Sequence, residues 1–164
     1  MSQVVIDAFK EVAAQVNASH SGDVYFMYGH RKEVNKRLLE KSEDKVYKYQ
    51  KYPLIVLNMP FSEDISSDRV IELSLNLAVM DYTDTTYISE ERYEKVFAPI
   101  LEPIYELLLD KIENSGEFTS IGKPEHTRID RLFWGTEGGQ QTFSDPLDAI
   151  ELLNLKLKLL NTKC

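Results

Sequence analysis

The sequence predicts an α+β domain: a mostly antiparallel sheet with an N-terminal helix and a long kinked helix packed on one face. Three observations carry that reading. Residues 70–80 alternate at period two, with Ile71, Leu73, Leu75, Leu77 and Val79 apolar and Glu72, Ser74 and Asn76 between them. That is the pattern of a half-buried strand, and it favours antiparallel pairing with one wetter face. Residues 89–112 place Tyr93, Val96, Phe97, Ile100, Leu101, Ile104, Leu107, Leu108 and Ile112 at helical spacing. Residues 147–160 alternate once more, as a second long strand.

Taken in order, residues 2–18 form an amphipathic helix, because Val5, Phe9, Val12 and Val16 make one stripe. Ser19 to Asp23 breaks it with Gly22-Asp23 turn chemistry. Val24 to Tyr28 is dense in β-branched and aromatic residues and reads as a strand ended by Gly29-His30. Residues 31–51 are polar, with Val34 and Leu38 four apart, and read as a short helix followed by an exposed loop. Tyr52 to Pro60 is a short apolar run between prolines, which suits a buried strand that Pro60 ends or marks as an edge. After the strand over 70–80, Asp81 to Thr86 is a polar connection. Ser89 is placed to cap the next helix, and Glu90 and Glu91 suit its first turn. Pro99 and Pro103 each remove a helical donor, so a kink, or two helices meeting near Pro99, is expected. Asn114-Ser115-Gly116 ends that helix. Arg128 to Trp134 reads as a strand and Gly135 to Asp145 as a polar connection. In the last strand Ile150 and Leu152 lie on the even phase, whereas Leu153, Leu155, Leu157 and Leu159 lie on the odd phase. The face must therefore switch near Leu152-Leu153, which predicts a β-bulge.

The chain is 164 residues long with a formal charge of −8, and is read as one domain over residues 1–164. A net acidic chain argues against a general DNA-coating role, which needs a basic footprint. No run approaches the roughly 18 apolar residues of a membrane helix. The N-terminus lacks a basic leader pattern, so a cytoplasmic start is expected. The charge is unevenly placed: residues 31–51 carry eight bases and four acids, and residues 82–117 carry nine acids and three bases.

A search for chemistry returns little. His20, His30 and His126 are scattered and lack helical metal-site spacing. There is no phosphate-binding glycine loop; Gly135-Thr136-Glu137-Gly138-Gly139 has no following helix. No nucleophile elbow is present, and Cys164 ends the chain. The acid pairs Glu63-Asp64, Glu90-Glu91 and Asp145/Asp148 read as capping and solvated groups rather than a catalytic dyad. No catalytic, cofactor or metal-ligating residue is assigned, and a small enzyme is the weakest reading.

Two binding readings remain. Lys45-Val46-Tyr47-Lys48-Tyr49-Gln50-Lys51-Tyr52 interleaves bases with aromatics, a pattern that can track single-stranded nucleic acid by phosphate contact and base stacking. Alternatively, the basic segment of one copy meets the acidic segment of the next. Such head-to-tail contacts close into rings or run into filaments, with charge setting register more than affinity.

Tyr28-Gly29-His30, Tyr52-Pro53-Leu54-Ile55-Val56-Leu57, Pro99-Ile100-Leu101-Glu102-Pro103-Ile104-Tyr105, Trp134-Gly135 and Asp148-Ala149-Ile150-Glu151 occur in an order that resembles the tail-terminator and head–tail joining (neck) proteins of tailed bacteriophages. The resemblance implies a non-enzymatic virion protein without cofactor. It implies a hexameric ring, assembled in the host cytoplasm, that caps the tail tube, stops its polymerisation and joins it to the neck. The implied partners are other copies of the chain, the tail tube protein and neck or connector proteins, with DNA passing through the lumen and no membrane. Another neck or head-completion ring is the neighbouring alternative. On this reading the interface residues are Gly29, His30 and Arg31; Lys45, Lys48 and Lys51; Glu90, Glu91 and Glu94; and the Gly138-Gly139 loop, since binding residues concentrate on loops held by a rigid scaffold.

Overall fold

A strand apolar at every second position covers one side of a sheet, whereas consecutive apolar residues must be covered on both sides. Leu54-Ile55-Val56-Leu57 is of the second kind, and all four residues are buried. In a computed structural model, which describes residues 3–65, 69–120, 122, 124–132, 136–137, 140–141 and 145–160, the sheet containing them has helices on both faces. The elements are α1 (Gln3–Ser19), β1 (Tyr25–Gly29), α2 (Arg31–Glu43), β2 (Leu54–Asp64), β3 (Val70–Tyr82), α3 (Ser89–Arg92), a π-helical stretch (Tyr93–Leu101), α4 (Glu102–Asn114), β4 (Phe118–Ser120), β5 (Glu125–Ile129), β6 (Thr136–Glu137), β7 (Gln140–Gln141) and β8 (Leu147–Leu160). The main sheet runs β1-β2-β3-β8, with β4 and β5 sharing the far side of β8. β6 and β7 pair with each other.

The fold is α+β as expected, with α1 and the long helix on one face. All pairs in the main sheet are antiparallel except β1–β2. Parallel neighbours need a crossover, and α2 supplies it. Val34 and Leu38 of α2 pack with Met27, Leu54, Val56, Ala78, Met80 and Ala149. α1 and the long helix pack over Ile55, Leu57, Leu77, Val79 and Ile150. Neighbouring residues of a strand point to opposite faces, so α2 lies across the sheet from the other helices. Each such buried aliphatic side chain contributes roughly 1.5–3 kcal/mol. No helix among the described residues is long and apolar enough to cross a membrane.

The bulge falls where the phase change placed it. Leu75 pairs with Leu155 but Leu77 pairs with Leu152, so β8 carries one extra residue. Asn154 adopts φ +53°, and its N–H donates to Asn76 Oδ1 at 2.8 Å. Leu153 is thrown outward, and Leu155, Leu157 and Leu159 rejoin Ile150 and Leu152 on one buried face.

Three expectations are corrected, and for the long helix one of the two alternatives is excluded. β2 does not stop at Pro60 but runs to Asp64; its register slips between Asn58 and Ser62, so the proline sits where no ladder donor is required. Ser89 is the first residue of α3 rather than its cap. Ile88 holds the cap position, with its N–H donating to Glu91 Oε2 at 3.1 Å. The prolines do not split the long helix: Glu102 N–H donates to Phe97 O, and the wider π turn moves the Pro99 ring away from the carbonyl it would strike. Pro103 follows at the junction where the π stretch passes into α4. The strand expected over 128–134 is β5, five residues ending at Ile129. The chain turns at Arg131, at φ +57°, whose N–H donates to Asp148 Oδ1; Trp134 and Gly135 lie outside the described residues.

Gly29 forms the corner between β1 and α2 at φ +144°, and a Cβ there would stand 2.9 Å from Glu33 Oε2. Gly29→Ala is expected to cost about 1–2 kcal/mol, mostly from the backbone conformation. Urea unfolding measures it, and an unchanged midpoint would contradict the assignment.

Candidate assembly interface

The two charged segments seen in the sequence are mounted on opposite faces of the sheet. The basic one is α2 with the turn that follows it, and the acidic one is α3 with the helix it leads into. Each is tied to β8 by an ion pair.

Arg92, at the end of α3, is 1% exposed and its Nη1 donates to Asp148 Oδ1 at 2.8 Å; Asp148 is fully buried. The same guanidinium donates to Thr83 Oγ1, Tyr87 O and Asp84 O, so one side chain gathers the whole β3–α3 connection. Three residues further along β8, on the opposite face, Glu151 accepts from Arg31 Nη2 at 2.7 Å. Arg31 is the first residue of α2. The expectation that Asp148 is a solvated acid is therefore wrong. A carboxylate interrupting the apolar run 147–153, and an arginine one turn before Val96 in a helical apolar stripe, were the available signals. Burying such charges is tolerated only when they are paired.

Asp145 is also a tether. Its Oδ2 accepts from Lys51 Nζ and from the Tyr52 hydroxyl, both at 2.7 Å. Burial, and then the charge of Asp145, hold the Tyr52 hydroxyl far above its ordinary pKa. Lys51 Nζ also donates to Ser42 Oγ at 2.7 Å, and Lys41 Nζ donates to Gln50 O at 2.8 Å. Asp44 Oδ1 accepts from the N–H groups of Val46 and Tyr47. Residues 44–50 thus form a strapped turn, with Lys45, Val46, Tyr47, Lys48 and Tyr49 exposed. The Lys45–Tyr52 segment divides at Gln50: its first half faces solvent, and Lys51 and Tyr52 are engaged within the chain.

The remaining interface candidates fall as follows. Gly29 is buried at its corner. His30 is exposed and caps α2, its Nδ1 accepting from Lys32 N–H at 3.3 Å. Glu90 and Glu94 are exposed one turn apart on the acidic helix. Glu91 reaches back to Ile88 N–H and pairs with Lys95; those contacts, in that order, hold its carboxyl below the usual range. Gly138 and Gly139 lie outside the described residues. His20 binds its own turn at Gly22, and His126 pairs with the Tyr105 hydroxyl at 3.1 Å. Among the described residues no group of three or more His, Cys, Asp or Glu is arranged to hold a metal.

No protein-family model matches the chain, and no curated protein matches it.

Asp81 lies directly opposite Asp148 across β3 and β8. Burial pushes its carboxyl up to about 6 and the Asp148 charge adds to that, against the ionised form's hydrogen bond from Tyr82 N–H. The folded chain therefore keeps a proton on Asp81 that the unfolded chain releases near 3.8, and stability falls as pH rises between those values. Asp81→Asn is expected to raise stability by ~2 kcal/mol at neutral pH, a gain that fades below pH ~4. Urea melts across that range measure it, and a pH-independent gain would contradict it. Arg92→Met alone should cost about 3–5 kcal/mol by stranding Asp148, whereas Arg92→Met with Asp148→Leu should recover part of the loss, the rest being the bonds Arg92 makes to Thr83, Asp84 and Tyr87 and the one Asp148 accepts from Arg131. Equal losses in the single and double variants would show that the ion pair is not what holds α3.

Proposed function

We propose that this protein is a structural ring protein of a tailed-phage virion, a tail terminator that caps the tail tube and joins it to the neck. The observation that supports the reading best is the mounting of opposite charges on opposite faces of one sheet. A body with complementary faces pointing away from each other makes heterologous contacts, and these close into a ring when successive copies are rotated. The order of sequence motifs given above supplies the identification with the tail and neck. The work is then done by interfaces, with DNA passing through a lumen that an acidic protein does not grip, and the chain's place is the virion neck.

A second reading is kept for one observation. Tyr47 and Tyr49 are exposed beside Lys45 and Lys48, the ingredients of a stacking platform for single-stranded nucleic acid. Without Lys51 and Tyr52 that platform is short.

The native mass of the purified protein, measured across concentration with and without divalent cation, tests the ring. A closed oligomer near six copies is expected. A monomer under every condition would count against the ring and turn attention to salt-dependent binding of short single-stranded DNA.

A further inference from the structure

The strapped turn and α2 frame a depression of about 450 Å³, lined by Phe26, Met27, Arg37, Lys41 and Tyr47, with Glu40 and Asp44 also at its wall. On the same turn as Tyr47, Val46 is 69% exposed and Tyr49 is 79% exposed. Apolar side chains held out by so many local hydrogen bonds present area at little further entropic cost on binding. The acidic face carries its own unexplained apolar residues. Ile88 is 59% exposed and Tyr93 is 51% exposed, flanking Glu90 and followed by Glu94. Spacings of three and four put Glu90, Tyr93 and Glu94 on one side of the helix.

We propose that the depression beside α2 receives Tyr93 and Ile88 of a second copy of this chain, with Glu90 and Glu94 of that copy set against Lys45 and Lys48. The contact rests on the head-to-tail reading above and names what makes it. Both halves of the match, apolar and charged, are present on one chain, on segments that cover opposite faces of the sheet, so every copy offers one socket and one plug. That is the condition for a repeating heterologous contact. Nucleic acid is the poorer occupant. Lys48 Nζ already lies 4.7 Å from the centre of the Tyr49 ring, over the face a base would use, which leaves Tyr47 as the stacking surface.

Sedimentation of four proteins tests the contact: the wild type, Lys45→Glu/Lys48→Glu, Glu90→Lys/Glu94→Lys, and Tyr93→Ala. All the altered side chains are exposed, so thermal melting should stay near that of the wild type. Each variant alone should self-associate at least about tenfold more weakly, since like charges now meet or the plug is missing. Mixing the two charge reversals should restore assembly, because every contact between unlike variants again pairs opposite charges. An oligomer unaffected by any variant would overturn this contact and leave the ring reading standing. A wild type that stays monomeric up to its solubility limit would overturn both. Loss of single-stranded DNA binding in Lys45→Glu/Lys48→Glu with assembly unchanged would assign the turn to nucleic acid and overturn the contact.

Discussion

Two carboxylates on one strand, Asp148 and Glu151, organise the molecule's helical layers. They are an odd number of residues apart on β8, so they emerge on opposite faces. Each is nearly inaccessible to water, and each accepts an arginine from the helix that covers its face: Arg92 of α3 on one side and Arg31 of α2 on the other. A buried charge without its partner is far more costly than a buried pair is beneficial. The pairs therefore select where each helix must begin more than they add to overall stability. Asp148 carries a second duty, since its Oδ1 also accepts the Arg131 N–H and bends the chain out of β5.

The apolar core obeys the same strand. β8 lies between β3 and the β4/β5 edge, and its side chains enter both core clusters. Without the extra residue at Leu153-Asn154, Leu155, Leu157 and Leu159 would point away from the helix layer that covers Ile150 and Leu152. Asn154 can take the required backbone conformation at modest cost because asparagine tolerates the left-handed region better than most residues. The Asn76 side chain then satisfies the amide that the bulge frees. The long helix solves a parallel problem in the same economical manner: two prolines in an apolar stripe are accommodated by one wider stretch instead of a break.

The charged surfaces follow from these anchors. Because Arg31 pins the start of α2, the lysines and exposed aromatics after it are presented on a short, cross-linked turn. Because Arg92 pins the start of the long helix, Glu90, Tyr93 and Glu94 project from a backbone that is already ordered. Such preorganisation favours any contact these faces make, since every mobile side chain that must be ordered on binding weakens it. Asp81 runs the other way: a carboxyl placed opposite Asp148 in a dry site lowers stability once it ionises, and the core around it tolerates the cost.

Much of the architecture was legible in the sequence. Period two over 70–80, helical spacing in residues 3–16 and 93–112, and the phase change in 147–160 are local patterns, and local patterns read out which side chains share a face. The acidic and basic segments were legible for the same reason, because composition along a chain needs no folding to be counted. The pairing of β1 with β2 in parallel was not, since the hydrogen-bond partner of a strand is chosen by distant residues. Nor were the tether from Asp145 to Lys51 and Tyr52, the Arg92–Asp148 pair, or the division of the Lys/Tyr segment into an exposed half and an engaged half. These join residues 56 to 94 positions apart, and sequence spacing carries no information about which charges will meet across such a distance. The sequence by itself determined the three main helices, the strands over 70–82 and 147–160, the bulge and the two charged segments, but not β4 or the β6–β7 pair within the stretch read as a polar connection. Only the tertiary structure decided that the charged segments lie on opposite faces, because that depends on which face of one sheet each helix covers.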